Sequence, residues 1–244
     1  MRKYRTLSSV LVLLILWQVI AMKIDNDFLV PYPIEVLRFM FAQVTNPEFY
    51  EVVLATLCRS LIGLLIAFIS GFLCAYLAFR NTIFKDIFYP ILLLTRSVPN
   101  VAYIIIILVW FGAEKSATIV SFLIIFPTIY SNLYNGLQYI DPNLKKVMLL
   151  YTEKERYRLT KVYIPLLEGS MQASLSTGIS LTFKVGVMAE ILGQVQIGIG
   201  RQLNLCRITS NVTGIFAWTL WIILILLFME WFIRLWNSYH KKSI

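Results

Sequence analysis

Apolar blocks long enough to cross a bilayer fill most of this chain, and one extended polar stretch divides them. A crossing helix needs about 17–25 mostly apolar residues. Blocks of that kind run over Leu7–Met22, Leu54–Phe79, Ile87–Gly112, Ser116–Tyr139, Tyr163–Leu192 and Ile208–Leu235, which predicts an all-α membrane protein of six transmembrane helices. Two blocks carry small residues at every fourth position: Gly63, Ala67, Gly71 and Ala75 in the second, and Ser170, Ser174, Gly178, Thr182 and Gly186 in the fifth. Such ridges let helix backbones approach closely, within one chain or across a seam between two copies. Between the first two blocks, PYP at Pro31–Pro33 precedes Val36, Leu37, Met40 and Phe41, whose spacing predicts a surface helix.

The polar stretch is Asp141–Pro165, with Lys145, Lys146, Lys154, Arg156, Arg158 and Lys161 against Asp141, Glu153 and Glu155. Leu144, Val147, Met148 and Tyr151 recur at helical spacing and predict one face of a short amphipathic helix. Glu153–Arg156 and Glu155–Arg158 are i,i+3 pairs able to support another turn. A basic amphipathic segment between two spans can lie on the anionic inner leaflet or dock into a cytoplasmic partner.

Composition agrees with a membrane setting: 59% of residues are hydrophobic and 14% charged, with a mean hydropathy of +0.74. The formal charge of +9 does not indicate nucleic acid, because the basic residues flank the apolar blocks. A cytoplasmic N-terminus puts Arg2, Lys3, Arg5, Arg80, Lys85, the polar stretch, Arg234, Lys241 and Lys242 inside. Only Lys23, Arg38, Lys115, Arg201 and Arg207 are then outside. This asymmetry predicts both termini and the polar stretch in the cytoplasm. Leu7–Met22 is followed by no small-x-small cleavage site and is expected to stay as a span. Cys58, Cys74 and Cys206 show no metal-like spacing and read as small membrane-buried residues.

Charges inside a span are costly, so each calls for a reason. Arg96 precedes Pro99 and Asn100, where proline predicts a bend or a fresh helix start. Lys184 and Glu190 stand six residues apart, about 240° around a helix, and so do not share a face. Each is expected to face another helix, a cavity or another subunit, as a strut or as part of a translocation path. Gly193, Gly198 and Gly200 break the helix after Glu190, which predicts a gate beside the path on the outer side. The chain carries no GxxxxGK[ST], HExxH or GxSxG motif, and its one histidine, His240, cannot build a metal site or triad. Any ATP hydrolysis would belong to another chain.

Several short motifs then stand in a familiar order: TRSVPN at Thr95–Asn100, WFG at Trp110–Gly112, FP at Phe126–Pro127, IDP at Ile140–Pro142, AEILG at Ala189–Gly193 and GIG at Gly198–Gly200. From about Tyr50 to Trp236 the chain resembles the permease subunits of bacterial ABC importers of the nitrate/sulfonate/taurine type, within the binding-protein-dependent transport family. The polar stretch aligns on that family's coupling loop and its closing Pro165. Lys146, Val147 and Met148 stand where Glu-Ala-Ala is usual, and Thr152 where glycine is usual.

The resemblance implies a type I importer permease fold in the bacterial cytoplasmic membrane. Residues 1–49 would precede a permease core at 50–236, with a cytoplasmic tail at 237–244. It further implies a second permease copy, normally identical, two ATPase subunits that bind ATP and magnesium, and an extracellular or periplasmic binding protein. No cofactor is expected in this chain. The coupling loop (Lys146, Val147, Met148, Tyr151, Thr152, Glu155, Arg156, Pro165) would meet the ATPase. Arg96, Pro99, Asn100, Lys184 and Glu190 would serve the path, and cargo would be a small solute such as a sulfonate, nitrate or a vitamin precursor. Two other classes compete: a secondary transporter or channel, though the halves show no internal repeat, and an intramembrane enzyme, for which Arg96, Lys184 and Glu190 make no catalytic constellation.

Overall fold

The computed structural model describes residues 2–26, 28–150 and 154–240, and every regular element among them is helical. A first apolar helix, α1 (Arg2–Ile24), leads to α2 (Pro33–Val44) and then to α3 (Pro47–Arg80). Pro47 and Glu48 suit the first turn of α3, and the Asn46 side chain caps it by accepting from the Glu48 amide. At 34 residues, α3 is about 50 Å long. It stops at Asn81, whose carboxamide oxygen accepts from the amides of Ile83 and Phe84 and starts α4 (Thr82–Ser97).

The third apolar block is not one helix. Val98 is extended, as the residue before a proline prefers, and Pro99 opens a separate α5 (Asn100–Phe111) bent 101° from α4. Gly112, at φ 75°, turns the chain into α6 (Ala113–Gln138). The polar stretch then forms α7 (Pro142–Leu150) and α8 (Glu155–Arg158). A π-helical turn (Leu159–Tyr163) and the single turn α9 (Ile164–Leu166) follow. The fifth block therefore starts later than its hydropathy suggests, as α10 (Glu168–Gly193). Then come α11 (Ile199–Ile208) and α12 (Val212–His240).

Among the described residues, four helices are long and apolar enough to cross a membrane: α3, α6, α10 and α12 over Val212–Ile233. The bent α4–α5 pair would make a fifth, and α1 adds a shorter apolar helix over Ser8–Ile24.

The core is the triple contact of α3, α6 and α10. Both small-residue ridges lie inside it. A Cβ on Gly63 would meet the Thr118 carbonyl at 2.7 Å, and one on Gly186 would meet Ser60 Oγ at 2.6 Å. The ridges therefore pack helices within the chain. Around the core, α5 lies against α6 and α10, and α12 lies on α2 and α11. The apolar face read on α2 splits: Val36 and Met40 are buried against Ala217 of α12, whereas Leu37 and Phe41 are exposed.

Candidate functional sites

Three polar regions interrupt this apolar bundle. At the end carrying α11, Glu190 is wholly buried on α10 and is met by three groups from two other helices. Arg59 of α3 donates from Nη1 to Glu190 Oε1 at 2.9 Å. Thr56, one turn earlier on α3, donates to Glu190 Oε2 at 2.9 Å. The Gly200 amide at the start of α11 donates to the same oxygen at 3.1 Å. Arg59 also donates from Nη2 to Glu114 Oε2 of α6 at 2.6 Å and from Nη1 to the Ile197 carbonyl at 2.6 Å. Glu114 accepts the Gln196 amide at 2.6 Å, and Thr56 Oγ1 accepts the Ile199 amide at 2.9 Å. One guanidinium thus binds two carboxylates, and the 194–200 turn hangs on all three. Charge-assisted hydrogen bonds of this kind are the strong ones, and they satisfy backbone donors that the turn leaves free.

The glycines explain how the turn comes so close. Gln194 takes a left-handed conformation and ends α10 after Gly193. A Cβ on Gly198 would sit 2.5 Å from Glu190 Oε2, and one on Gly200 would sit 2.4 Å from the Glu190 Cβ. Only residues without side chains allow the backbone to lie on this carboxylate. Gly198, Gly200 and Glu190 are therefore brought together, whereas Gly193 faces Leu108 and Ser116 and Lys184 is exposed on another face of α10. Arg59, Thr56 and Glu114 are the members that sequence reasoning missed. A usable signal was present, since Arg59 lies five residues inside an apolar block with no local acid to match it.

At the opposite end, Ile140, Tyr163 and Leu167 are buried with Leu137 of α6, and half-buried Tyr76, Phe79 and Leu144 pack on them. Glu155 of α8 accepts from Tyr76 Oη at 2.6 Å and from Arg80 Nη2 at 2.8 Å, so α8 is tied to the last turn of α3. Glu155 thus reaches across to α3, to Tyr76 and Arg80, instead of pairing with Arg158 along its own stretch. Leu144 turns inward, while Lys146 and Val147 are exposed on α7, as are Arg156 on α8 and Pro165 on α9. Met148 lies within α7; Tyr151 and Thr152 fall outside the described residues.

The third region surrounds Arg96 at the last turn of α4. Its Nη2 donates to the Pro127 carbonyl at 3.2 Å and to Ser131 Oγ, both on α6. Pro99 and Asn100 are exposed at the bend, which is also bridged by Tyr103 Oη donating to the Leu94 carbonyl at 3.3 Å. Arg96 and Lys184 are not brought into contact with the Glu190 cluster.

Residues 63–238 match the family described as binding-protein-dependent transport system inner membrane component. The chain belongs to that family. The permease is 25% identical over 197 residues to the formylaminopyrimidine transport permease protein ThiX of Halalkalibacterium halodurans, covering 79% of this chain and 77% of that one. It is 23% identical over 212 residues to the putative aliphatic sulfonates transport permease protein SsuC of Bacillus subtilis, covering 84% and 75%. A crystal structure of an amino acid ABC transporter with histidines superposes with a TM-score of 0.64 at 16% identity, over 81% of this chain and 94% of that chain. That likeness concerns the fold. The family makes this a multi-pass membrane subunit of an ABC importer rather than an enzyme, and it sets aside the secondary-transporter reading.

Proposed function

We propose that the permease lines the solute path of an ATP-driven importer in a bacterial cytoplasmic membrane and is driven through residues 141–165 by a separate ATPase. In this reading six spans place both termini inside. Two copies enclose the path, two ATPases hold the ATP and magnesium, and a binding protein delivers a small solute outside. The bent α4–α5 pair with Arg96, Pro99 and Asn100, together with exposed Lys184, faces the path. Glu190 acts on it indirectly, by holding the 194–200 turn as an outer gate.

The observation that carries the coupling assignment is the mounting of α7 and α8. Glu155 binds Arg80 and Tyr76 while Val147 is left 47% exposed beyond the packed cluster. A short helix fixed at its base and apolar at its tip suits insertion into a partner's groove, and motion of that partner would be passed to α3. Lys146, Val147, Met148 and Thr152 replace the family's usual letters, so the groove that receives them is shaped for a basic and apolar tip. Val147→Asp combined with Met148→Asp tests this. The double variant is expected to reach the membrane folded yet lose the ATPase on affinity purification in mild detergent. Undiminished co-purification would remove the assignment.

A further inference from the structure

Beyond the path assignment, the cavity between α4 and α6 has a chemistry of its own. It encloses about 310 Å³ and is lined by Lys85, Tyr89 and Arg96 from α4 and by Tyr130, Ser131 and Tyr134 from α6. Both cations face it, and among the described residues no acidic side chain does. Lys85 Nζ lies 5.8 Å from the Tyr134 ring centroid, a contact that positions an ammonium without neutralising it. Arg96 is held through one nitrogen by a neutral carbonyl and a neutral hydroxyl. Among the described residues neither cation is in a salt bridge, while Arg59 and Arg80 each are. Two uncompensated cations beside the same small cavity create a positive field that a carboxylate, sulfonate or phosphate group would complete.

The walls say more about the rest of the ligand. Tyr130 and Tyr134 stack with ring centroids 5.7 Å apart and planes 3° from parallel. The Tyr134 hydroxyl accepts from Gln138 Nε2 at 2.5 Å, which holds that ring in place. With Tyr89 on the facing helix, the cavity offers aromatic surface next to the cations. Its volume is near the lower limit for small-molecule sites. Asn135 borders both this cavity and a larger one of about 590 Å³ beside Leu144 of α7. The oxyanion site thus lies at the α7 end of the bundle, next to the proposed coupling helix.

We propose that this cavity binds a small molecule bearing one oxyanion, with Arg96 and Lys85 as its charge partners and the tyrosines holding its body. As a waypoint for cargo the site rests on the transport reading above; as an oxyanion site it does not. An anionic lipid headgroup offers the same chemistry, and the test separates the two sources.

Full-length permease would be placed in nanodiscs of phosphatidylcholine and its thermal unfolding followed with benzenesulfonate or the neutral benzenesulfonamide. Benzenesulfonate is expected to raise Tm saturably and benzenesulfonamide to have no such effect. Arg96→Gln and Lys85→Gln, each with an unliganded Tm close to that of the parent, are expected to raise the half-maximal concentration at least about tenfold. Arg96→Lys is expected to lose less. Nanodiscs containing phosphatidylglycerol assign the source. A benzenesulfonate response unaffected by that lipid supports a solute site, and competition by it that is lost in Arg96→Gln supports a headgroup site. No saturable rise, an equal rise with benzenesulfonamide, or half-maximal concentrations in both glutamine variants equal to the parent's would overturn the proposal. The assay contains neither ATP nor ATPase, so its failure is distinct from failure of the co-purification test.

Discussion

The two arginine-centred clusters of this permease are built on opposite plans. At the α11 end, Arg59 lies between Glu190 and Glu114, and nearby backbone amides occupy further carboxylate oxygens. At the α7 end, Arg96 and Lys85 meet, among the described residues, neutral groups and a tyrosine ring. A closed circuit of charges inside an apolar bundle fixes geometry, because separating any member strands another. An open one leaves an electrostatic demand that a mobile ligand can meet and release. The same residue types thus serve as a clamp in one place and as a receptor in the other.

The sharpest way to break this contrast is to open the closed circuit. Glu190→Ala leaves Arg59 with one carboxylate, deprives the Gly200 amide of its acceptor and empties a fully buried volume. Removing one partner of a buried pair is expected to cost about 3–5 kcal/mol, read as a large fall in unfolding temperature in detergent. Arg59→Leu with Glu190→Leu removes both charges and is expected to recover part of that loss. If Glu190→Ala unfolds like the parent, the clamp interpretation is wrong.

A smaller effect is expected from steric insertion at the same place. Gly200→Ala would put a Cβ 2.4 Å from Glu190 Cβ and 2.6 Å from the Ile191 amide nitrogen, so the 194–200 turn must move away. Overpacking of this kind costs about 1–3 kcal/mol. Cysteine labelling at Gln196 should speed up in the variant, since that residue's amide is held by Glu114 only while the turn is docked. An unchanged labelling rate would argue that the turn already moves freely.

The two clusters also differ in how far they could be read from the sequence. Helical content, the apolar blocks, the break at Pro99 and the glycine turn were all legible, because periodicity, proline geometry and helix-breaking residues act locally. That Lys184 and Glu190 do not pair followed from helical angles alone. Arg59 was not singled out, since its partners lie 55 and 131 positions away and only the packing of α3 on α6 and α10 brings them together. Tyr163 shows the opposite limit. Hydropathy counted it into the fifth span, yet it packs with Leu137, Ile140 and Leu167 at the base of α7, before α10 begins. Hydropathy records what a residue can be buried in, not which element it is buried against. The proposed docking surface is similarly divided: Leu144 and Val147 share the sequence pattern, but the bundle takes the first and leaves the second exposed.

The smallest effect on stability belongs to the pair that mounts α8. Arg80 and Glu155 lie 2.8 Å apart, but their side chains are 44% and 50% exposed. Exposed pairs contribute about 0–1 kcal/mol, and added salt weakens them as the Debye length shortens from about 10 Å at 0.1 M to about 3 Å at 1 M. A double-mutant cycle with Arg80→Ala and Glu155→Ala is therefore expected to give a coupling energy below about 1 kcal/mol that shrinks as salt is added. Its influence on transport should be larger than that figure suggests. The Glu155 link to Arg80 and Tyr76 is a direct tie between the proposed coupling segment and α3, and α3 carries Arg59 at its other end. In the complex with its ATPase, Glu155→Ala is expected to retain subunit association while lowering uptake per ATP hydrolysed. If association and uptake fall together, Glu155 belongs to the docking face itself and not to the mount behind it.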